Sequence, residues 1–447
     1  MVSGRNDVRN LIRLKIQYTI TLRIQSIKQH LSNTTMAIKN TYFLTRWSIP
    51  FAGFVFTLMV GTAYAYSAFI NPMGEQFGWT KAQANIPFLV FIFMSAVMTI
   101  PAGRLQDKIG PRKTGLLAAL LFAVAYSLAS LVGSFPYTWW LVVTYGLIGG
   151  TAGGIGYACA IPPSRKWLPD FPGLAIALSV TGMGLSAVVW APLKAKLLIP
   201  SYGIEQTFLI IAVITTIGSL FASWLTRNPP LDWVPANFDA SKKSINTSKM
   251  IIGDATPKQM LKSPVFWYIW PTFTLILFGG FVCLTLILPY GESVVGLPPV
   301  KAAFALSIFA VFNGLGRPLA GYLGDRYGVL KVLSVTYLMQ TITFFLFPIL
   351  AVNLPVLYIA SAILGWGFAA SMALFPNQTS IAFGTKHLGI NYGIVYTAFG
   401  TGAVASIFGS WLFDTTGSYT PAFIAGGVMA AIGLTLTVIL RKKYAFR

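Results

Sequence analysis

Residues 301–325 read KAAFALSIFAVFNGLGRPLAGYLGD, an apolar run bounded by Lys301 and Asp325 with one arginine inside it. The interval is longer than the ~20 residues that span a hydrocarbon core of ~30 Å. At ~1.5 Å rise per residue, Arg317 lies roughly 12 Å from Asp325, near the midplane of such a span. A cation at that depth must face protein, water or an anion rather than lipid. One reading is an arginine that snorkels to the nearer surface or donates to carbonyls of neighbouring helices. The other, our expectation, is the fixed positive charge of an anion-translocation site.

The composition agrees with a membrane setting. Of 447 residues, 55% are hydrophobic and 10% charged, with a mean hydropathy of +0.69. A soluble protein carries about 25% charged residues, so the expected fold class is an all-α polytopic membrane protein. The net charge of +21 invites a nucleic-acid partner. Its distribution excludes one, because the cations gather at the ends of apolar segments. Cys159 and Cys283 fall inside apolar segments, so no disulfide framework is implied. With two histidines and no Cys/His cluster, no metal or cofactor is expected. The absence of clustered acids or a nucleophile–base pair argues against an enzyme.

Twelve apolar spans are expected, at about 48–71, 82–103, 112–133, 138–160, 173–195, 204–226, 264–289, 302–324, 329–351, 354–376, 388–412 and 420–440. The polar stretch 227–263, with Pro229, Pro230, Pro235 and Lys242–Lys243, divides them six and six as a linker. The expected organisation is a basic segment 1–46, a six-helix half 47–226, the linker, a second half 264–441 and a tail 442–447. Within the basic segment, IRLKIQYTITLRIQ suits an interfacial helix, no signal peptide is evident, and Met36 is a second candidate start. Of the 32 Lys and Arg, 27 fall on the side that holds both termini. Lys81, Lys194, Lys196 and Lys301 fall on the other, leaving Arg317 as the one charge expected within a span. The positive-inside rule then places both termini and the linker in the cytoplasm, with the plasma (inner) membrane as the expected location and a monomer as the expected state.

An internal repeat marks the halves. GRLQDKIG at 103–110 and GYLGDRYG at 321–328 share Gly-x3-Asp-x2-Gly at an offset of 218 residues. Gly103, Asp107 and Gly110, like Gly321, Asp325 and Gly328, close the second span of each half. The glycines permit a tight turn and close helix approach, and each aspartate suits a nearby cation or a cap on the next helix. A repeated six-helix unit places a transport site between the halves.

With Lys108, Arg112 and Lys113 following Asp107, the first loop resembles the signature loop of the major facilitator superfamily. Three stretches resemble the oxalate:formate antiporter family and the related monocarboxylate transporters: AYAYSAF at 63–69, GGTAGGIGYACAIPPSRKWLPD at 149–170 and NYGIVYTAFGTGAVASIFG at 391–409. In the antiporter family the third stretch carries a lysine that acts with the helix-8 arginine on a dicarboxylate. Here that neighbourhood is Phe399–Gly400, a departure that tells against oxalate. The resemblance also implies substrate-contacting roles for Tyr64 and Tyr157. Asn313 and Arg317 match the D/N-x-x-x-R arrangement of monocarboxylate transporters, whose aspartate serves proton coupling. Asparagine does not titrate, so that relay is missing.

The expected site is built on Arg317, whose planar fork donates two parallel hydrogen bonds to a carboxylate. Asn313, four residues earlier on the same helical face, is placed to hold the fork. Tyr64 and Tyr66 in span 1, Tyr157 in span 4, Trp366 in span 10, and Tyr396 and Phe399 in span 11 are the aromatic candidates. Ser67, Asn85, Gln340 and Asn391 are further polar candidates. GTAGGIG lacks the preceding strand and acidic partner of a nucleotide loop. The N-x-S/T triplets at Asn33, Asn246 and Asn377 fall on the inner side or in a helix and are assigned no glycan. The expected function is alternating-access transport of a small carboxylate, a monocarboxylate such as formate, lactate or pyruvate, or oxalate, by anion exchange; the alternatives are proton-coupled monocarboxylate symport and a non-transporting membrane sensor of the same fold.

Overall fold

The computed structural model describes residues 46–230, 233, 235 and 253–444. The basic segment before Arg46, with its candidate interfacial helix and Met36, lies outside the described residues, as do most of the expected linker and residues 445–447. Of a first unit, Met1–Ser48, residues 46–48 are described and are helical. All that follows concerns the second, Ile49–Arg447.

The spans follow the apolar runs. They are α1 (49–77), α2 (Lys81–Ile109), α3 (Pro111–Gly133), α4 (Thr138–Trp167), then a run Pro172–Leu225, and after the polar stretch α7 (Phe266–Ser293), α8 (Pro299–Tyr327), α9 (Val329–Leu350), α10 (Leu354–Phe383), α11 (Leu388–Thr416) and α12 (Thr420–Tyr444). The run Pro172–Leu225 holds 54 residues, or roughly 80 Å of helix, more than twice a hydrocarbon core. It breaks at Gly203, whose φ of 74° and ψ of −179° no helix contains. Glycine meets no Cβ penalty there. The run is therefore two spans, α5 (172–202) and α6 (204–225). Among the described residues twelve spans result, in two halves of six, and no strand occurs.

Several spans run well past their expected ends, and α4, which reaches Trp167, and α10, which reaches Phe383, are among the longest of these overruns. In α10 the extra turns carry Asn377, Gln378, Thr379 and Ser380, all buried. Hydropathy ends a span where polar residues begin, yet these face neighbouring helices rather than lipid. A short helix, Pro257–Lys262, capped reciprocally by Thr256 and Gln259, precedes α7.

The halves meet chiefly through two pairs, α5 with α8 and α2 with α11. Each joins the second span of one half to the fifth span of the other, so the repeat relates the two pairs. The repeated loop motif seals one end of both. Asp325 accepts from the Gly173 and Leu174 amides at 2.8 and 2.9 Å, where α5 begins. Asp107 accepts from the Ile390 amide at 3.3 Å, where α11 begins. The sequence suggested a nearby cation or a cap on the next helix. Lys166 lies near Asp107 and Arg165 near Asp325, but α3 and α9 begin at Gly110 (φ 85°) and Gly328 (φ 93°) without a side-chain cap. The carboxylates instead meet helix N-termini of the opposite half, where amide donors and the helix dipole favour an anion. Gly103 and Gly321 make the approach possible, since a methyl group on either would strike the backbone carbonyl of Gly389 or Gly173. Arg112 stands exposed at the start of α3.

Candidate functional site

From that sealed motif end, α8 carries Arg317 eight residues inward. The side chain is fully buried. Its Nε donates to the Asn313 carbonyl at 3.2 Å and Nη2 to Asn313 Oδ1 at 3.1 Å. Nη1 reaches across to α5 and donates to the Val180 carbonyl at 2.5 Å. A guanidinium has five N–H groups; this arrangement leaves one on each terminal nitrogen without an acceptor among the described residues. The helices come close enough because small residues face each other. A Cβ at Gly184 would lie 2.7 Å from Gly314 Cα and 3.0 Å from Arg317 Nε.

The phenols of Tyr64, Tyr157, Tyr396 and Tyr392, two from each half, lie near Arg317. Tyr157 stacks on Tyr396 with ring centroids 4.3 Å apart, and its hydroxyl lies 3.4 Å from that of Tyr392. Tyr396 in turn stacks on Phe399 at 5.1 Å, and Phe399 meets Phe281 edge-on. Tyr64 Oη is closed from solvent and has no hydrogen-bond partner among the described residues. An unpaired buried hydroxyl beside a cation with unused donors is a polar setting that a carboxylate would complete.

Thus Arg317, Asn313, Tyr64, Tyr157 and Tyr396 come together, with Phe399 behind Tyr396. Tyr66 does not join them: it packs in the core of the first half against Tyr145 and Phe88, its hydroxyl directed at Met73 Sδ. Trp366 packs near Gly316 and donates to Thr336 Oγ1 of α9 at 3.2 Å. Gln340 donates to the Leu364 carbonyl and Asn391 to that of Ala255. Ser67 is exposed and Asn85 half-buried.

Two residues escaped the sequence reading. Tyr392 is one, and its signal was its place four residues before Tyr396, on the same helical face. Lys194 is the other. Counted as a loop cation, it is in fact 1% exposed inside α5, so Arg317 is not the one charge buried among the spans. Among the described residues no group of three His, Cys, Asp or Glu could hold a metal, and both cysteines are free and buried.

The cross-half bonds of Arg317, Tyr157, Asp107 and Asp325 are joined by those of Thr99 Oγ1 to the Gly393 carbonyl at 3.2 Å and Arg165 Nε to Ser380 Oγ at 3.2 Å. All lie between the level of Arg317 and the motif end.

Known proteins share this architecture. The oxalate:formate antiporter of Oxalobacter formigenes is 28% identical over 402 residues, covering 88% of this chain and 91% of its own. Monocarboxylate transporter 13 of Rattus norvegicus is 24% identical over 405 residues, 88% of each. Among solved structures, the transporter FucP in the outward conformation matches with a TM-score of 0.66 at 16% identity, over 87% of this chain and 97% of that one. The human organic anion transporter MFSD10 matches at 0.65 and 13% identity, over 88% and 99%. The relatives and the fold are those of multi-pass membrane transporters, not enzymes. Residues 51–313 and 293–445 match the Major Facilitator Superfamily, and the chain belongs to that family.

Proposed function

We propose that this transporter carries a small carboxylate by alternating access, with Arg317 as the counter-charge and the two halves rocking about it. The observation that carries the reading is the Arg317 guanidinium, buried between the halves, steadied by Asn313 and left with a free N–H on each terminal nitrogen beside the Tyr64 phenol. The names of the relatives, an oxalate:formate antiporter and monocarboxylate transporters, support the substrate class. Phe399 and Gly400 supply no second cation, so a singly charged carboxylate is favoured over oxalate, whose second charge would be buried unpaired. Anion exchange is the favoured coupling. An empty site leaves the positive charge without its anion, which discourages return of the unloaded carrier, and Asn313 offers no proton relay.

The domain reading carried into this proposal is two halves, 47–226 and 264–441, with the segment 1–46, the linker 227–263 and the tail 442–447 in the cytoplasm, in the plasma membrane. The motif end is then the cytoplasmic end, and the bonds that seal it make this the state closed to the cytoplasm. The test is a panel of proteoliposome assays with formate, oxalate, lactate, pyruvate and acetate. Exchange that requires an anion inside, strongest for a monocarboxylate, is expected. Uptake into anion-free liposomes driven by a proton gradient would transfer the chain to proton symport, and no flux with any of the five would end the reading. A cysteine placed at Lys242 should label only from inside; labelling from outside intact cells would reverse the orientation.

A further inference from the structure

The first half contains its own buried cation. Lys194 sits where α5 widens into a π-type stretch, Leu193–Leu198. Its Nζ donates to the Thr62 carbonyl of α1 at 2.7 Å and stands 5.3 Å over the Phe69 ring. No carboxylate pairs with it among the described residues. An ammonium taken out of water ordinarily demands an anion. This one has a peptide carbonyl and an aromatic face.

The carbonyl it selects belongs to an unusual segment. Between Gly61 and Phe69 the α1 helix tightens to 3-10 geometry for nine residues, with Ala65 out of helical range at φ −103° and ψ 22°. Runs of that kind beyond three or four residues are uncommon, because their hydrogen bonds are poorly directed. Such a segment needs holding from outside. Tyr66 and Phe69 anchor one side of it among Tyr145, Phe88 and Phe208, and Lys194 clamps its start. Tyr64 lies two residues past Thr62 and near Arg317.

We propose that Lys194 is a positioning residue: its ammonium pins the Thr62 carbonyl, fixes the 3-10 segment of α1, and so aims the Tyr64 phenol at the anion site. The part that concerns transport rests on Arg317 being that site. The part that concerns α1 does not. Lys194 acts through Thr62 rather than by contact with the anion, and it lies fourteen residues along α5 from Val180, so the helix that Arg317 grips also carries the group that holds α1.

The experiment uses the full chain with 3-fluorotyrosine at position 64, and at position 337 in the core of the second half as a control, in wild type and Lys194→Met. With no ligand present, the position-64 fluorine resonance should shift or split in Lys194→Met while that at 337 stays put. Thermal stability should hold or rise, because an unpaired buried charge has been removed. For the anion best exchanged by the wild type in the five-carboxylate panel, half-saturation should rise about fivefold with the maximal rate nearly unchanged, the scale of one lost hydrogen bond. An unmoved resonance at position 64 overturns the proposal, as does a moved one with half-saturation unchanged. If instead Arg317→Gln exchanges normally, the anion reading fails, while the fluorine result still decides whether Lys194 holds α1.

Discussion

Helices α2 and α8 occupy the same place in the two repeats, and the offset of 218 residues that relates Asp107 to Asp325 also relates Thr99 to Arg317. Each side chain reaches across to the fifth span of the opposite half and donates to its backbone. Thr99 Oγ1 bonds the Gly393 carbonyl at 3.2 Å and Arg317 Nη1 bonds that of Val180 at 2.5 Å. The hydroxyl is also shared with the Ala96 carbonyl, so its single proton is fully engaged. A neutral group therefore suffices to tie one such crossing, at about 1 kcal/mol and without burying charge. The cation on α8 does more than docking requires, and burying it costs several kcal/mol that docking alone does not repay. That surplus is the argument that Arg317 serves a ligand.

The largest expected effect breaks the comparison at this pair. Arg317→Gln should insert, remain monodisperse and lose exchange by more than about a hundredfold, with no stabilisation by any carboxylate, whereas Thr99→Val should keep substrate affinity within about twofold. Arg317→Lys should retain weak transport at best, since an ammonium cannot reproduce the fork. Equal losses in Arg317→Gln and Thr99→Val would reduce the arginine to a docking contact.

A middle-sized effect is expected at the two seals. Asp325 accepts from two amides at 2.8 and 2.9 Å and lies 3.4 Å from Asn377 Nδ2, whereas Asp107 accepts from the Ile390 amide at a longer 3.3 Å and the Gly389 amide makes only a weaker approach. The α5 seal should be the tighter. Charge-assisted bonds are worth about 1.5–3 kcal/mol each, so Asp325→Asn should speed hydrogen exchange at Gly173 and Leu174 by roughly tenfold or more. Asp107→Asn should speed it at Ile390 by less. Reversed sensitivities, read by peptide-resolved exchange, would show that the repeat's asymmetry lies elsewhere.

The smallest effect concerns the residues four places earlier, Asn313 on α8 and Ser95 on α2. Asn313→Ala should weaken carboxylate binding by about fivefold, through loss of one bond that orients the fork, without abolishing exchange. Ser95→Ala should leave binding unchanged. Equal half-saturation in wild type and Asn313→Ala would remove Asn313 from the site.

The fold was legible because lipid imposes a length and a polarity on every span, and the twelve runs carry both. The repeat of Gly103–Gly110 in Gly321–Gly328 was legible for the same reason that it works: a turn glycine and a carboxylate at fixed spacing. What the aspartates touch was not, because the N-termini of α5 and α11 come from the opposite half, and linear sequence carries no trace of that meeting. Arg317 and Asn313 stood out as polar residues in an apolar run. Tyr66 and Tyr64 did not separate, since two residues along a regular helix face differ by a rotation that the 3-10 segment then alters. Lys194 was hidden by its position near the end of an apolar run, where a lysine ordinarily reaches water.

Val180 gives the site one further property on the proposed reading. With no anion present, the peptide oxygen of Val180 and the two oxygens of Asn313 take three of the five guanidinium N–H groups, so the fork is aimed before any anion arrives. A carboxylate then needs only the two N–H groups left over, and little of its binding energy goes into ordering the arginine. Because Val180 belongs to the opposite half, the same bond ties the aim of the fork to the packing of α5 on α8. A small rotation of α5 that withdraws that oxygen would loosen the guanidinium and lower affinity, with no change to any residue that touches the anion.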